Sequence, residues 1–249
     1  MMKGMSTDAW MSDVSPWGLP EPRNWLHNTC ALLPALEVRQ QLETFVAEHQ
    51  AHPKMQEWLN EMLEWGFGYP DALLTLIELG AQAKPYHLGQ LFNNSDHFPY
   101  TATDEECVKL VEAFLDHGAD PNAMTANGGL SEDTPVLAWA MVRPVRPSQC
   151  LAITSLLIER GARVEGPDPD GLSGAMRRHE LPLQYAVRFP TAALMELLVS
   201  HGADIKRLNE DDWARASDEV KDWRRARAQA GELETTWPMT APSSHRPRF

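Results

Sequence analysis

The sequence predicts an all-α solenoid of stacked helix pairs with helical caps at both ends, and three observations carry that expectation. Cys107, Leu110, Val111, Phe114 and Leu115 in DEECVKLVEAFLDHGADPN (Asp104 to Asn122) fall at i, i+3, i+4, i+7 and i+8, so one helix face is built for burial. The same helix-then-glycine unit recurs in LLTLIELGAQ, ITSLLIERGARV and LMELLVSHGADI. Its glycines, Gly80, Gly118, Gly161 and Gly202, are separated by 38, 43 and 41 residues. A period in the tens of residues is the signature of stacked units that share one core. A shorter element precedes three of these helices, KPYHLGQ at Lys84, TPVLAWA at Thr134 and LPLQYAV at Leu181. Each puts proline at a helix start, where a missing N–H costs nothing.

Taken in order, residues 1–30 form a Trp- and Pro-rich arm in which Pro16, Pro20 and Pro22 forbid a continuous helix. Trp10, Trp17 and Trp25 are its means of packing on the rest. Residues 31–68 read as two helices forming a cap or a degenerate first repeat. Val38, Leu42, Phe45 and Val46 mark the inner face of one, and Met55, Trp58, Leu59, Met62 and Leu63 that of the other. His52-Pro53 breaks between them, and Gly66 ends the second. The repeats occupy 69–212. Thr103 and Glu106 have capping-box spacing before the central helix, and Gly118 sits where helices end in a left-handed residue. FNNSDHFPYTA (Phe92 to Ala102) and Pro144–Pro147 read as insertions between helices, and EGPDPDGLSGAMRRHE (Glu165 to Glu180) as a long connecting finger. A C-terminal capping helix assigned to 213–232, its helical pattern running from about Asp212 to Ala230, places Trp213, Ala216, Val220 and Trp223 inward. Arg224, Arg225 and Arg227 lie near its end. Residues 233–249 have the composition of a disordered tail.

These units resemble the ankyrin repeat. The family's T-P-L-H-x-A opening is echoed by Thr134-Pro135, Leu181-Pro182-Leu183 and Pro85-Tyr86-His87-Leu88, with the register open by one residue at Trp139. Its Gly-Ala-Asp ending stands at Gly118-Ala119-Asp120 and Gly202-Ala203-Asp204. The spacings exceed the roughly 33 residues of a regular repeat, which places the excess in insertions and fingers. The resemblance spans about Tyr69 to Asp212. It implies a protein-binding module that works through its fingers (Ala119 to Asp133, Ala162 to Glu180, Ala203 to Asp211) and through the face made by the first helices. Arg143, Asp168, Asp170, Met176 and Arg177 are the candidate partner-binding residues, chosen by their place in loops.

Charge narrows the class of partner. With 22 basic and 35 acidic residues the net charge is −13, which opposes nonspecific attraction to nucleic acid. The acidity is concentrated in residues 67–220, whereas residues 221–249 are net basic. A basic protein partner suits such a surface, and solubility alone is the plainer reading. No apolar run approaches the roughly 18 residues of a membrane span. MMKGMSTDAW lacks the apolar core of a secretory signal, and Cys30, Cys107 and Cys150 are too few and too scattered for a disulfide scaffold or a Cys-rich zinc site. A cytoplasmic monomer is expected.

Chemistry is sparse. The sequence has no G-x-S-x-G, Walker loop, H-E-x-x-H or Rossmann glycine run, so no catalytic residue, cofactor or metal is expected. Asp168-Pro169-Asp170-Gly171 lacks the remaining ligands of a calcium loop. His87, His117 and His201 read as structural hydrogen-bonders, Cys107 as core, and Asp104-Glu105-Glu106 and Glu210-Asp211-Asp212 as helix-start charges. The function expected is non-catalytic protein binding. Within it stand two options: an inhibitor or immunity protein neutralising a toxin or enzyme, and a scaffold with several weak partners. An enzyme with an atypical site is the remaining alternative.

Overall fold

Four of the helices end in the same way, and that ending sets the architecture. Gly80, Gly118, Gly161 and Gly202 all have φ between +94° and +105°, a region that glycine enters without steric cost. In each turn the glycine N–H and the following alanine N–H bond back to the helix: Ala81 to Leu76 O, Ala119 to Phe114 O, Ala162 to Leu157 O and Ala203 to Leu198 O. This is the Schellman arrangement, and it seats the alanine in the core.

The structure is a computed structural model, and it describes residues 22–93, 103–125, 134–142, 146–165 and 182–231. Over these residues the protein is mostly helical. The helices are α1 (Pro22–Leu32), α2 (Ala35–His49), α3 (Met55–Trp65), α4 (Pro70–Glu78), α5 (His87–Asn93), α6 (Asp104–Asp116), α7 (Val136–Val142), α8 (Pro147–Glu159), α9 (Pro182–Ala186), α10 (Ala193–Ser200), α11 (Glu210–Ala214) and α12 (Asp218–Gln229). Two short strands, β1 (Met124–Thr125) and β2 (Thr134–Pro135), pair antiparallel with Met124 opposite Pro135. They form the base of the finger between α6 and α7.

The helices lie in two rows. α5 packs on α7 and α7 on α9, while α4 packs on α6, α6 on α8 and α8 on α10; α5–α6, α7–α8 and α9–α10 join the rows. One core runs through both, from Leu26 to Val220. The central helix α6 buries Cys107, Leu110, Val111 and Phe114, and Thr103 and Glu106 close a capping box at its start.

Several boundaries differ from the sequence reading. Helix α1 begins at Pro22, inside the segment read as an irregular arm. Proline at a helix start removes only an N–H that would lack a partner anyway. Leu26 is buried, and the Trp25 ring lies 4.7 Å from that of Phe45, so this helix belongs to the core. Phe92 belongs to α5 and is fully buried, and Pro147 is the first residue of α8; neither is part of an insertion. The C-terminal helix is two helices. Ser217 caps α12 through its hydroxyl and sends its own N–H to Val187 O, which breaks the chain at Ala216.

Candidate functional site

All five loop residues chosen from the sequence, Arg143, Asp168, Asp170, Met176 and Arg177, lie outside the described residues, as do the tips of the first two fingers and the Asp168–Gly171 segment. What the structure does place is the row made by α5, α7 and α9, and the joints between successive units.

Each Gly-Ala turn leaves its next backbone N–H pointing toward the preceding unit, and each time the preceding unit supplies an acceptor. Asn60 Oδ1 takes the Gln82 N–H at 2.9 Å, Pro85 O takes that of Asp120 at 3.1 Å and Asn122 Oδ1 takes that of Arg163 at 2.8 Å. Glu165 takes that of Asp204. Two of these joints are doubled, because Gln56 Nε2 donates to Gly80 O and Asn122 Nδ2 donates to Gly161 O. Ion pairs run alongside, Arg160 with Glu112 and Asp116, Arg146 with Asp104, and Arg207 with Glu165. They are partly exposed and individually weak, so they contribute to register more than to stability.

Along the α5–α7–α9 row, each unit brings one aromatic side chain to solvent. Tyr86 precedes α5 and is 42% exposed. In residues 134–141 every side chain is buried except Trp139, which is half-buried. Tyr185 of α9 is also half-buried, with the Arg188 guanidinium 5.5 Å from its ring centroid. Gln90 of α5 and Gln184 of α9 are half-buried. The sequence carried this signal as one aromatic in each of the three short openings, but the open register at Trp139 hid which side of the helix it occupied.

The densest titratable group lies beside Tyr86. Glu64 of α3 accepts from Lys84 Nζ and, at 2.7 Å, from Tyr86 OH. His87 is fully buried, its ring edge-on to Phe67, Tyr86 and Phe114. The Lys84 backbone N–H donates to His87 Nδ1 at 3.1 Å, which places the ring proton on Nε2. Burial pushes the His87 imidazole below its usual value, only partly opposed by Glu64. Burial also lifts the Glu64 carboxyl, but the bonds from Lys84 and Tyr86 outweigh it and hold it below the usual carboxylate range.

Of the remaining histidines and acidic groups singled out from the sequence, His117, His201 and Asp212 are engaged in turns and caps. His117 and His201 each donate from Nδ1 to the carbonyl four residues back, at 2.9 and 2.8 Å. Asp212 completes a capping box with Asn209 and accepts from Gln184 Nε2. Arg224 stacks on Trp213, Arg225 pairs with Asp222 and Arg227 with Glu196. Among the described residues no His, Cys, Asp or Glu cluster is placed to hold a metal, and no helix is long and apolar enough to cross a membrane. The chain matches no family model, and no curated protein matches it.

Proposed function

We propose that this chain is an ankyrin-type repeat array that binds another protein without catalysing a reaction, and that it works as a monomeric cytoplasmic inhibitor or immunity protein with one basic target, a toxin or an enzyme. The observation that carries this reading is the solvent-reaching aromatic in each of three successive units, Tyr86, Trp139 and Tyr185, on a row of helices held in fixed register by the joints. Trp and Tyr supply large contact area at low entropic cost and dominate binding hot spots. A net charge of −13 favours a basic protein and opposes nucleic acid, because complementary charge speeds encounter and like charge repels. Among the described residues the titratable groups brought together serve turns, caps and ion pairs between elements, which supports a binding role over a catalytic one.

The test is an affinity pull-down of the tagged full chain from its native extract at moderate salt, read by mass spectrometry. One stoichiometric basic partner is expected. Several weak partners would indicate a scaffold instead, and recovery of none would overturn the binding reading.

A further inference from the structure

We propose that His87 makes the joint between the first two repeat units proton-sensitive: protonating its Nδ1 expels the Lys84 N–H, opens the Lys84–His87 turn and unlatches the following unit. The argument is one of donors and acceptors. In the folded chain Nδ1 is an acceptor, taking the Lys84 backbone N–H at 3.1 Å, while the His87 N–H closes the same turn on Lys84 O at 3.0 Å. An imidazolium carries a proton on both nitrogens, so Nδ1 then presents N–H to N–H, and the two cannot coexist at that distance. The residue between these ends matters most. Pro85 lies within the turn, and its carbonyl accepts the Asp120 N–H of the next Gly-Ala-Asp ending. Opening the turn therefore moves the acceptor on which the second unit is latched.

The surroundings keep the ring neutral at rest. His87 is fully buried, and its Nε2 stands 3.4 Å from Glu64 Oε1 without the alignment of a hydrogen bond. Among the described residues, the charged or titratable groups facing it are Glu64 from α3 and Lys84 and Tyr86 from its own turn; the 3-10 turn Gly66–Gly68 and α6 present the rings of Phe67 and Phe114. Glu64 is already taken by Lys84 and Tyr86, so it does not offer an imidazolium a clean partner. At the equivalent places two residues after Pro135 and Pro182 stand Leu137 and Gln184, which carry no titratable ring.

The experiment is a titration of the 15N-labelled full chain from about pH 7.5 to about pH 5, spanning the ordinary histidine value. It reads the His87 ring nitrogens together with amide protection at Lys84 and Asp120. At the upper pH the ring is expected as the Nε2–H tautomer. As it protonates, protection of both amides should fall about tenfold or more while that of Val111 in α6 holds. His87→Gln, which introduces the side chain that Gln184 carries at the equivalent place after Pro182, should leave Lys84 and Asp120 indifferent to pH. The proposal is overturned if the ring carries its proton on Nδ1 at neutral pH, if His87 protonates with both amides still protected, or if H87Q responds to acid as the parent does. Should H87Q not fold, the parent's ring and amide signals decide alone.

Discussion

At Gly161 the backbone sits at φ +94° with open space where a Cβ would stand, so an alanine there meets strain and no clash. Gly161→Ala is therefore expected to cost roughly 1–2 kcal/mol, the left-handed penalty of an L-residue, read as a lower urea midpoint with an unchanged slope. The cysteines give a second residue-scale test. None is in a disulfide; Cys30 is half-buried, and Cys107 and Cys150 are buried. Burial pushes the Cys150 thiol up to about 12. A thiol reagent at neutral pH should label Cys30 first and reach Cys107 and Cys150 only on unfolding. The sign for Cys150 follows from linkage. A thiol raised in the folded state contributes stability that is full below its ordinary value and lost as pH rises toward about 12. For His87, depressed on folding, and Glu64, likewise depressed, the sign is opposite. Their contributions are full at neutral pH and are lost on acidification, that of His87 from about pH 6.5 downward and that of Glu64 below the usual carboxylate range. Thermal melts of the parent and H87Q between about pH 7.5 and pH 5 should converge as the parent loses its larger share.

The element scale is where the sequence was most and least informative. The helix–Gly–Ala endings were legible because an amphipathic period and a glycine with a defined backbone role coincide four times. The start of α1 was not, because prolines at 16, 20 and 22 read as a barrier, whereas only those inside a helix break it and Pro22 is the first residue of one. The joints were not legible either. Asn122 acts on Gly161 and Arg163, some 40 residues away, and no periodicity connects them; the only local hint was an asparagine closing the Ala-Asp-Pro-Asn turn. The five candidate residues in the loops lie outside the described residues. The half-buried aromatics on α7 and α9 sit in short, mostly apolar helices, where core and surface positions look alike without the register. Asn122→Ala removes both bonds of its joint and should cost about 1–2 kcal/mol. The loss should appear as faster amide exchange around Ala162 and Arg163, with α1 to α3 unaffected, since neighbours in a stack couple most strongly. Thr103→Ala should cost about 1 kcal/mol through the lost cap of α6, measured by the same denaturation.

At the scale of the whole molecule, two features of the described residues support the proposed binding role. The joints hold successive units in register, and the row of α5, α7 and α9 carries an aromatic from each unit into solvent. Net acidity adds long-range attraction for a basic target, so association with the captured partner should slow steeply as salt rises while dissociation changes little. The most direct test of the account is hydrogen exchange of the complex recovered by pull-down, compared with the free chain. Protection should increase over residues 84–92, 134–142 and 182–188, the segments that carry Tyr86, Trp139 and Tyr185. Protection gained only on α6, α8 and α10, with those three segments unchanged, would contradict the assignment of this row as the binding surface.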